Sequence, residues 1–206
     1  MTDPNGRPIT QGLYGVRGAG ATTAQRTINR SEMLFIGDSH TWGFQMAIDN
    51  SRVPRGAPPQ LGEPGTHVDQ WARGSMASRL AQGLAGRPRE VFISLGTNDG
   101  IHGRHRDPDQ LRADIRRLVG TIRDSGTPPP NITWIQAPHA TSDEAGISAT
   151  RAIIRSELAQ LGVGIIDPSR RELGGELRRN AHHPSHPAGY KALIDEFFRP
   201  RFDVAR

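Results

Sequence analysis

Two short runs dominated by apolar residues, Met33-Leu34-Phe35-Ile36 and Val91-Phe92-Ile93-Ser94-Leu95, each stop abruptly at a small polar turn. The turns are Gly37-Asp38-Ser39-His40 and Gly96-Thr97-Asn98-Asp99. Apolar runs that end so abruptly in a polar turn read as strand ends carrying chemistry. In open α/β sheets ligands bind in the crevice outside the carboxyl ends of the strands, so turns distant in sequence meet there. The chain is thereby constrained to a layered α/β fold with chemistry at its strand ends.

The intervening sequence supplies the helices that such a sheet requires. After the first strand, Thr41 to Ile48 spaces Phe44 and Ile48 as a helix face would. Arg52 to Pro64 is a Pro/Gly-rich loop, Thr66 to Ala72 reads as a short second strand ending at Arg73-Gly74-Ser75, and a helix follows from Met76 to Leu84. The third strand runs from Glu90 to Leu95. From Asp107 to Asp124, Leu111, Ile115, Leu118 and Ile122 recur at helical intervals, with Asp107 as the cap and Pro108 in the first turn. Pro128 to Pro130 stop the chain before a fourth strand, Asn131 to Ala137. A helix near Ile147 to Leu161, a fifth strand from Val163 to Asp167 and a last helix from Pro187 to Phe198 complete the alternation. Strands and helices in this order call for a parallel sheet with right-handed crossovers. Residues 1–30, rich in Gly, Thr and Arg and without apolar periodicity, read as a flexible or wrapping arm, and 31–206 as one domain.

Composition removes several function classes. The absence of Cys rules out a disulfide scaffold, a thiol nucleophile and a cysteine-ligated metal. The net charge of +5 comes almost entirely from arginines scattered in pairs such as Arg116-Arg117 and Arg178-Arg179, and aromatics are only 5%, so no nucleic-acid partner is expected. Such a surface would at most steer the protein toward an anionic glycan. No apolar stretch approaches a membrane span, and the N-terminus lacks the basic head and apolar core of a signal peptide. A soluble protein is expected, with its compartment and oligomeric state left open. No cofactor or metal is expected either, because His182, His183 and His186 fall in a Pro/Gly loop without helical pairing or Cys partners.

Four blocks carry a resemblance to a known family. Gly37-Asp38-Ser39, Arg73-Gly74-Ser75-Met76, Gly96-Thr97-Asn98-Asp99 and Asn180-Ala181-His182-His183-Pro184 stand in the order found in SGNH (GDSL-type) hydrolases, and the chain resembles that superfamily over roughly residues 31 to 198. The resemblance implies a three-layer α/β/α flavodoxin-like SGNH fold with a central five-stranded parallel sheet, and the five strands read above agree. It implies ester hydrolysis through an acyl-serine intermediate, with Ser39 as nucleophile and His183 as base. It also implies an oxyanion hole from the Ser39 and Gly74 backbone N–H groups and the Asn98 side-chain amide. Two departures stand out: His40 replaces the Leu of many relatives, and Asn180 occupies the position of the triad acid, three residues before His183.

Elementary chemistry asks for the same cast. A serine hydroxyl needs a neighbouring base to act as a nucleophile, a histidine's usual task, and the tetrahedral intermediate needs preorganised donors. Moving the base to His182 or His186 restores no carboxylate, since Arg179 and His183 would then stand at the acid position; all three remain open from the residues alone. Asn180 is the candidate to orient the imidazole, forming a dyad without an anion. His40, His102, His105 and His139 lie near strand ends and are candidates for the pocket wall, whereas Trp42, Trp71 and Trp134 read as core or pocket wall. The expected substrate is a small-molecule or glycan ester, with carbohydrate deacetylation leading. Acyl transfer to a glycan and a non-catalytic or phage-type cell-wall-binding module are the alternatives.

Overall fold

The computed structural model describes residues 26–48, 61–101 and 107–205. In chain order the strands are β1 (Arg26–Asn29), β2 (Met33–Gly37), β3 (Leu61–Gly62), β4 (Glu90–Ser94), β5 (Asn131–Ile135), β6 (Gly164–Ile166) and β7 (Phe202–Ala205). The helices are α1 (Ser39–Ile48), α2 (Val68–Ala72), α3 (Ala77–Ala85), α4 (Thr97–Gly100), α5 (Pro108–Arg123), α6 (Glu144–Leu161) and α7 (Ala188–Leu193), the last running on into a wider turn at Ile194–Phe198.

Five strands form one parallel sheet in the order β3-β2-β4-β5-β6. Renumbered from the first of them, this is the 2-1-3-4-5 order of flavodoxin-like folds, whose strand order reverses between β2 and β4. The period-2 alternation of side chains divides the core accordingly. Leu34, Ile36, Val91 and Ile93 pack with Trp71, Leu118 and Trp134 on one face. Met33, Phe35 and Phe92 pack with Phe44, Tyr190 and Phe198 on the other. Phe92 stacks on Phe35 with ring centroids 4.8 Å apart and meets Phe198 at 5.2 Å. Burial of each such ring contributes roughly 1.5–3 kcal/mol, enough to fix which face every strand turns to which helix layer.

Two sequence expectations are corrected here. Thr66 to Ala72 does not form the second strand: β3 lies earlier, at Leu61–Gly62, and Val68–Ala72 is helical. Val68, Trp71 and Ala72 are buried at i, i+3 and i+4, and the His67 N–H donates to Gln70 Oε1 at 2.8 Å across the first turn. Val68 and Ala72 fit both periods, but Trp71 shares their face only in a helix, which buries it completely. The N-terminal boundary also shifts. Arg26–Asn29, expected in the arm, pairs in parallel with Phe202–Ala205, with Ile28 buried; residues 1–25 lie outside the described residues, as does most of the Pro/Gly-rich loop after α1. The expected helix from Asp107 is present, Asp107 Oδ1 accepting the Asp109 N–H at 3.0 Å.

Candidate active site

Ser39 opens α1 one residue after β2, and the backbone at the last position of β2 tolerates only glycine. Gly37 has φ 142°, and a Cβ at that position would lie 2.0 Å from the Ser94 carbonyl oxygen. The close approach lets the Asp38 N–H donate to that oxygen at 3.0 Å, binding the ends of β2 and β4 together. Asp38 organises the turn, its Oδ1 accepting the His40 N–H at 2.9 Å. Burial pushes the Asp38 carboxyl up to about 8, with the negative charge of Asp99 adding to the effect, so it is protonated at neutral pH.

His183 comes to Ser39 from the loop before α7. Its Nε2 lies 2.7 Å from Ser39 Oγ, although 144 residues separate the two. Asn180 Oδ1 accepts the backbone N–H of His182 at 3.0 Å and of His183 at 2.9 Å, and lies 3.1 Å from His183 Nδ1. Two backbone donors fix which amide atom is the oxygen, so His183 carries its proton on Nδ1 and turns the Nε2 lone pair to the Ser39 hydroxyl. Burial holds the His183 imidazole below the ordinary histidine range, and His182, Arg179 and His186 push the same way. An uncharged base facing a serine hydroxyl is the arrangement that nucleophilic catalysis needs.

The other two histidines of the triplet are engaged elsewhere. His182 Nε2 lies 2.9 Å from Ser142 Oγ and 3.2 Å from Asp143 Oδ2. His186 packs edge-on against Trp42 at 5.6 Å and lies over Tyr190 at 4.7 Å. Among the earlier pocket candidates, His40 lies against the site, His139 Nε2 faces Glu172 at 3.5 Å, and His102 and His105 lie outside the described residues.

Asn98 joins Ser39 in the same cleft, but Gly74 does not. Asn98 Nδ2 donates to the Thr66 carbonyl at 3.0 Å and has a longer contact of 3.5 Å to Asp38 Oδ2. The Gly74 N–H instead closes the end of α2 on the carbonyls of Asp69 and Gln70, both at 3.1 Å, so it is not turned to a ligand. The glycines that do line the cleft are Gly62, which ends β3, and Gly65, in the loop after it. Glu63-Pro64-Gly65-Thr66 is a tight turn with Pro second, Gly third at φ 79°, and the Thr66 N–H donating to the Glu63 carbonyl. Sequence reasoning passed over it because Thr66 to Ala72 was read as the strand, which displaced the second block by nine positions or so along the chain.

Tyr190, to which the sequence reading gave no role, ties the two halves of the site together. Its fully buried ring lies flat on α1, where a Cβ on Gly43 would come within 2.3 Å of it, and its hydroxyl is 2.9 Å from His40 Nδ1. Trp71 and Trp134 are core residues, whereas Trp42 is 48% exposed and forms a wall of the cleft. The cleft has a volume of about 580 Å³ and is bordered by Ser39, Trp42, Gly65, Asn98, Arg179 and His183. It lies at the carboxyl ends of β2 and β4, where the sheet order reverses. A larger cavity, of about 820 Å³, sits at the opposite ends of the strands around Arg89, Glu90 and Asn131, far from this constellation.

Comparison with known proteins agrees with this fold. The fold is similar to that of an aryl esterase from M. smegmatis (18% identity, TM-score 0.60, 82% of this chain and 94% of the other). It is similar also to a carbohydrate acetylesterase from Sinorhizobium meliloti (16%, TM-score 0.57, 84% and 98%) and to a carbohydrate esterase family 3 protein from Talaromyces cellulolyticus (18%, TM-score 0.60, 82% and 92%). No curated protein sequence matches the chain. Residues 35–192 match the GDSL-like lipase/acylhydrolase family, a span that begins inside β2, contains Ser39, Asn98 and His183, and ends in α7; the chain belongs to that family and is an ester-hydrolysing serine hydrolase.

Proposed function

We propose that the protein removes acetyl or other short acyl groups from a carbohydrate, through an acyl-Ser39 intermediate. The observation that carries the mechanism is the 2.7 Å contact of Ser39 Oγ with His183 Nε2 in a cleft walled by Asn98. Ser39 Oγ attacks the ester carbonyl carbon while its proton passes to His183 Nε2. The tetrahedral oxyanion is held by the Ser39 N–H, the Asn98 amide and, in place of Gly74, the Gly65 N–H. Ser39 opens α1, whose first N–H groups have no partner within the helix and whose dipole favours negative charge. Because Asp38 is uncharged at neutral pH, it competes weakly for the second Asn98 N–H, which is left for the oxyanion. His183 then returns the proton to the leaving alcohol, and water repeats the cycle on the acyl-serine.

The carbohydrate assignment rests on the cleft wall. Among the described residues Trp42 is the one exposed large apolar side chain, and it stands with the Arg179 side of the cleft beside Ser39. An indole face of this kind stacks on the C–H face of a pyranose, and a guanidinium donates to its hydroxyls. Two of the similar structures are carbohydrate esterases by name. The experiment is acetate release from acetylated xylo-oligosaccharide and from ethyl acetate by the wild type and by Trp42→Ala. The ratio of kcat/KM for the sugar ester over ethyl acetate falls about tenfold in the variant, the equivalent of ~1.4 kcal/mol; an unchanged ratio removes the sugar assignment and leaves a general esterase.

Asn180 sets a second expectation. As a neutral acceptor it holds the tautomer but adds no anion to stabilise the imidazolium formed in the transition state. Asn180→Asp keeps the acceptor and adds the charge, which favours the protonated ring. The plateau kcat rises about tenfold, and the acid limb of the pH profile moves to higher pH by roughly one unit, because more alkaline solution is needed to free the base. A pH-rate series on both proteins measures this; no gain in kcat would mean that another group compensates the charge.

A further inference from the structure

His40 is a costly residue for its place. It is fully buried, its ring centroid is 4.8 Å from that of His183 with the planes 23° apart, and its Nδ1 is 2.9 Å from the Tyr190 hydroxyl. Its other nitrogen, Nε2, is buried without a hydrogen-bond partner among the described residues. A buried orphan nitrogen opposes folding, and an apolar side chain of similar volume would avoid the penalty. The retained imidazole therefore calls for a role outside stability.

That role follows from what lies on its face. His183 gains a full positive charge when it takes the Ser39 proton, and its edge partner Asn180 is neutral. A π-face within about 6 Å of a cation attracts it, and the attraction grows where water is excluded. The face must itself stay uncharged, since a second imidazolium would repel the first. The groups around His40 all agree with a neutral ring. Tyr190 from α7 meets its Nδ1, Asp38 on its own turn is protonated at neutral pH, and His183 and His182 from the loop before α7 disfavour a charge on it. Burial is the largest influence and lowers its basicity well below that of an ordinary histidine. Around His183 itself, His182, Arg179 and His186 oppose protonation, whereas the stacked ring is placed to favour it.

We propose that His40 is a positioning residue for the base: its uncharged ring, pinned by Tyr190, is the surface that holds the His183 imidazole in line with Ser39 and on which the positive charge settles during acyl transfer. This inference rests on the esterase reading of Ser39 and His183 given above. It also gives a physical reason why an aromatic ring stands at this position in a site whose acid position holds an amide.

Two double variants separate the role from packing. His40→Leu/Tyr190→Phe removes the ring, the orphan nitrogen and the hydroxyl together; His40→Phe/Tyr190→Phe restores a ring face without polar atoms. The readouts are Tm, kcat and KM on p-nitrophenyl acetate, and the titration of His183 by NMR of its ring C–H. In the Leu variant kcat falls about tenfold with KM within twofold, His183 titrates roughly one pH unit lower than in the wild type, and Tm is equal or higher. In the Phe variant kcat and the His183 titration stay near the wild-type values. Leu and Phe variants that titrate alike, or a loss of kcat that tracks a fall in Tm, would overturn the proposal. If the wild type releases no nitrophenol, the esterase reading fails, while the His183 titration still decides whether His40 supports the imidazolium.

Discussion

Ser39→Ala and His183→Ala each lower ester turnover by about four to six orders of magnitude, and the double variant is scarcely worse than either alone. Residues that act as one unit lose their effect together, because a nucleophile without its base and a base without its nucleophile are equally idle. The 2.7 Å contact makes Ser39 and His183 such a unit. Fluorophosphonate labelling gives the second reading of the same experiment. It disappears in Ser39→Ala, which lacks the oxygen, and slows strongly in His183→Ala, which lacks the proton acceptor. Independent, multiplicative losses would mean that His183 acts on something other than Ser39, and labelling that survives in Ser39→Ala would place the nucleophile elsewhere.

Asn98→Ala gives the next largest effect, a fall in kcat of roughly 10²–10³ with KM little changed. The split between the two constants is the diagnostic part. An amide that meets charge only as the tetrahedral intermediate forms contributes to the transition state alone, so its removal lowers kcat and kcat/KM equally. The variant also loses the Asn98 hydrogen bond to the Thr66 carbonyl, worth about 1 kcal/mol of stability and visible as a small drop in Tm. A rise in KM at constant kcat would instead assign Asn98 to holding the ground-state substrate.

The sheet was readable from the sequence because its strands are buried on both faces. Continuous apolar runs such as Met33 to Ile36 and Val91 to Leu95 have few other structures open to them, and the Asp-Pro opening with the Leu111 to Ile122 spacing left little choice for α5. The order of blocks brought Ser39, Asn98 and His183 to one cleft for the same reason, since strand order places their turns side by side. What the sequence obscured was short-range. Leu61–Gly62 is a two-residue strand, too brief to show any period, so the neighbouring Thr66 to Ala72 took its place in the reading and Gly74 took that of Gly65. The choice among His182, His183 and His186 depends on a loop whose course is set by Asn180 accepting two backbone N–H groups. Nothing in a run of three histidines encodes that. The strand Arg26–Asn29 was invisible for a similar reason: its partner, Phe202–Ala205, lies at the far end of the chain.

The Tyr190 ring lying flat on Gly43 also bears on when the enzyme comes into being during folding. The contacts of Ser39 with His183 and of His40 with Tyr190 join the beginning of the chain to its last quarter, and contacts so distant in sequence carry the highest closure entropy and form late. The sheet face around Trp134 is assembled from segments nearer one another, and α5 and α6 pack on each other there. Esterase activity is thus a built-in timer for the final docking event: a refolding chain regains its helices and buries Trp71 and Trp134 first, and becomes a hydrolase only when the Tyr190 segment seats itself on α1.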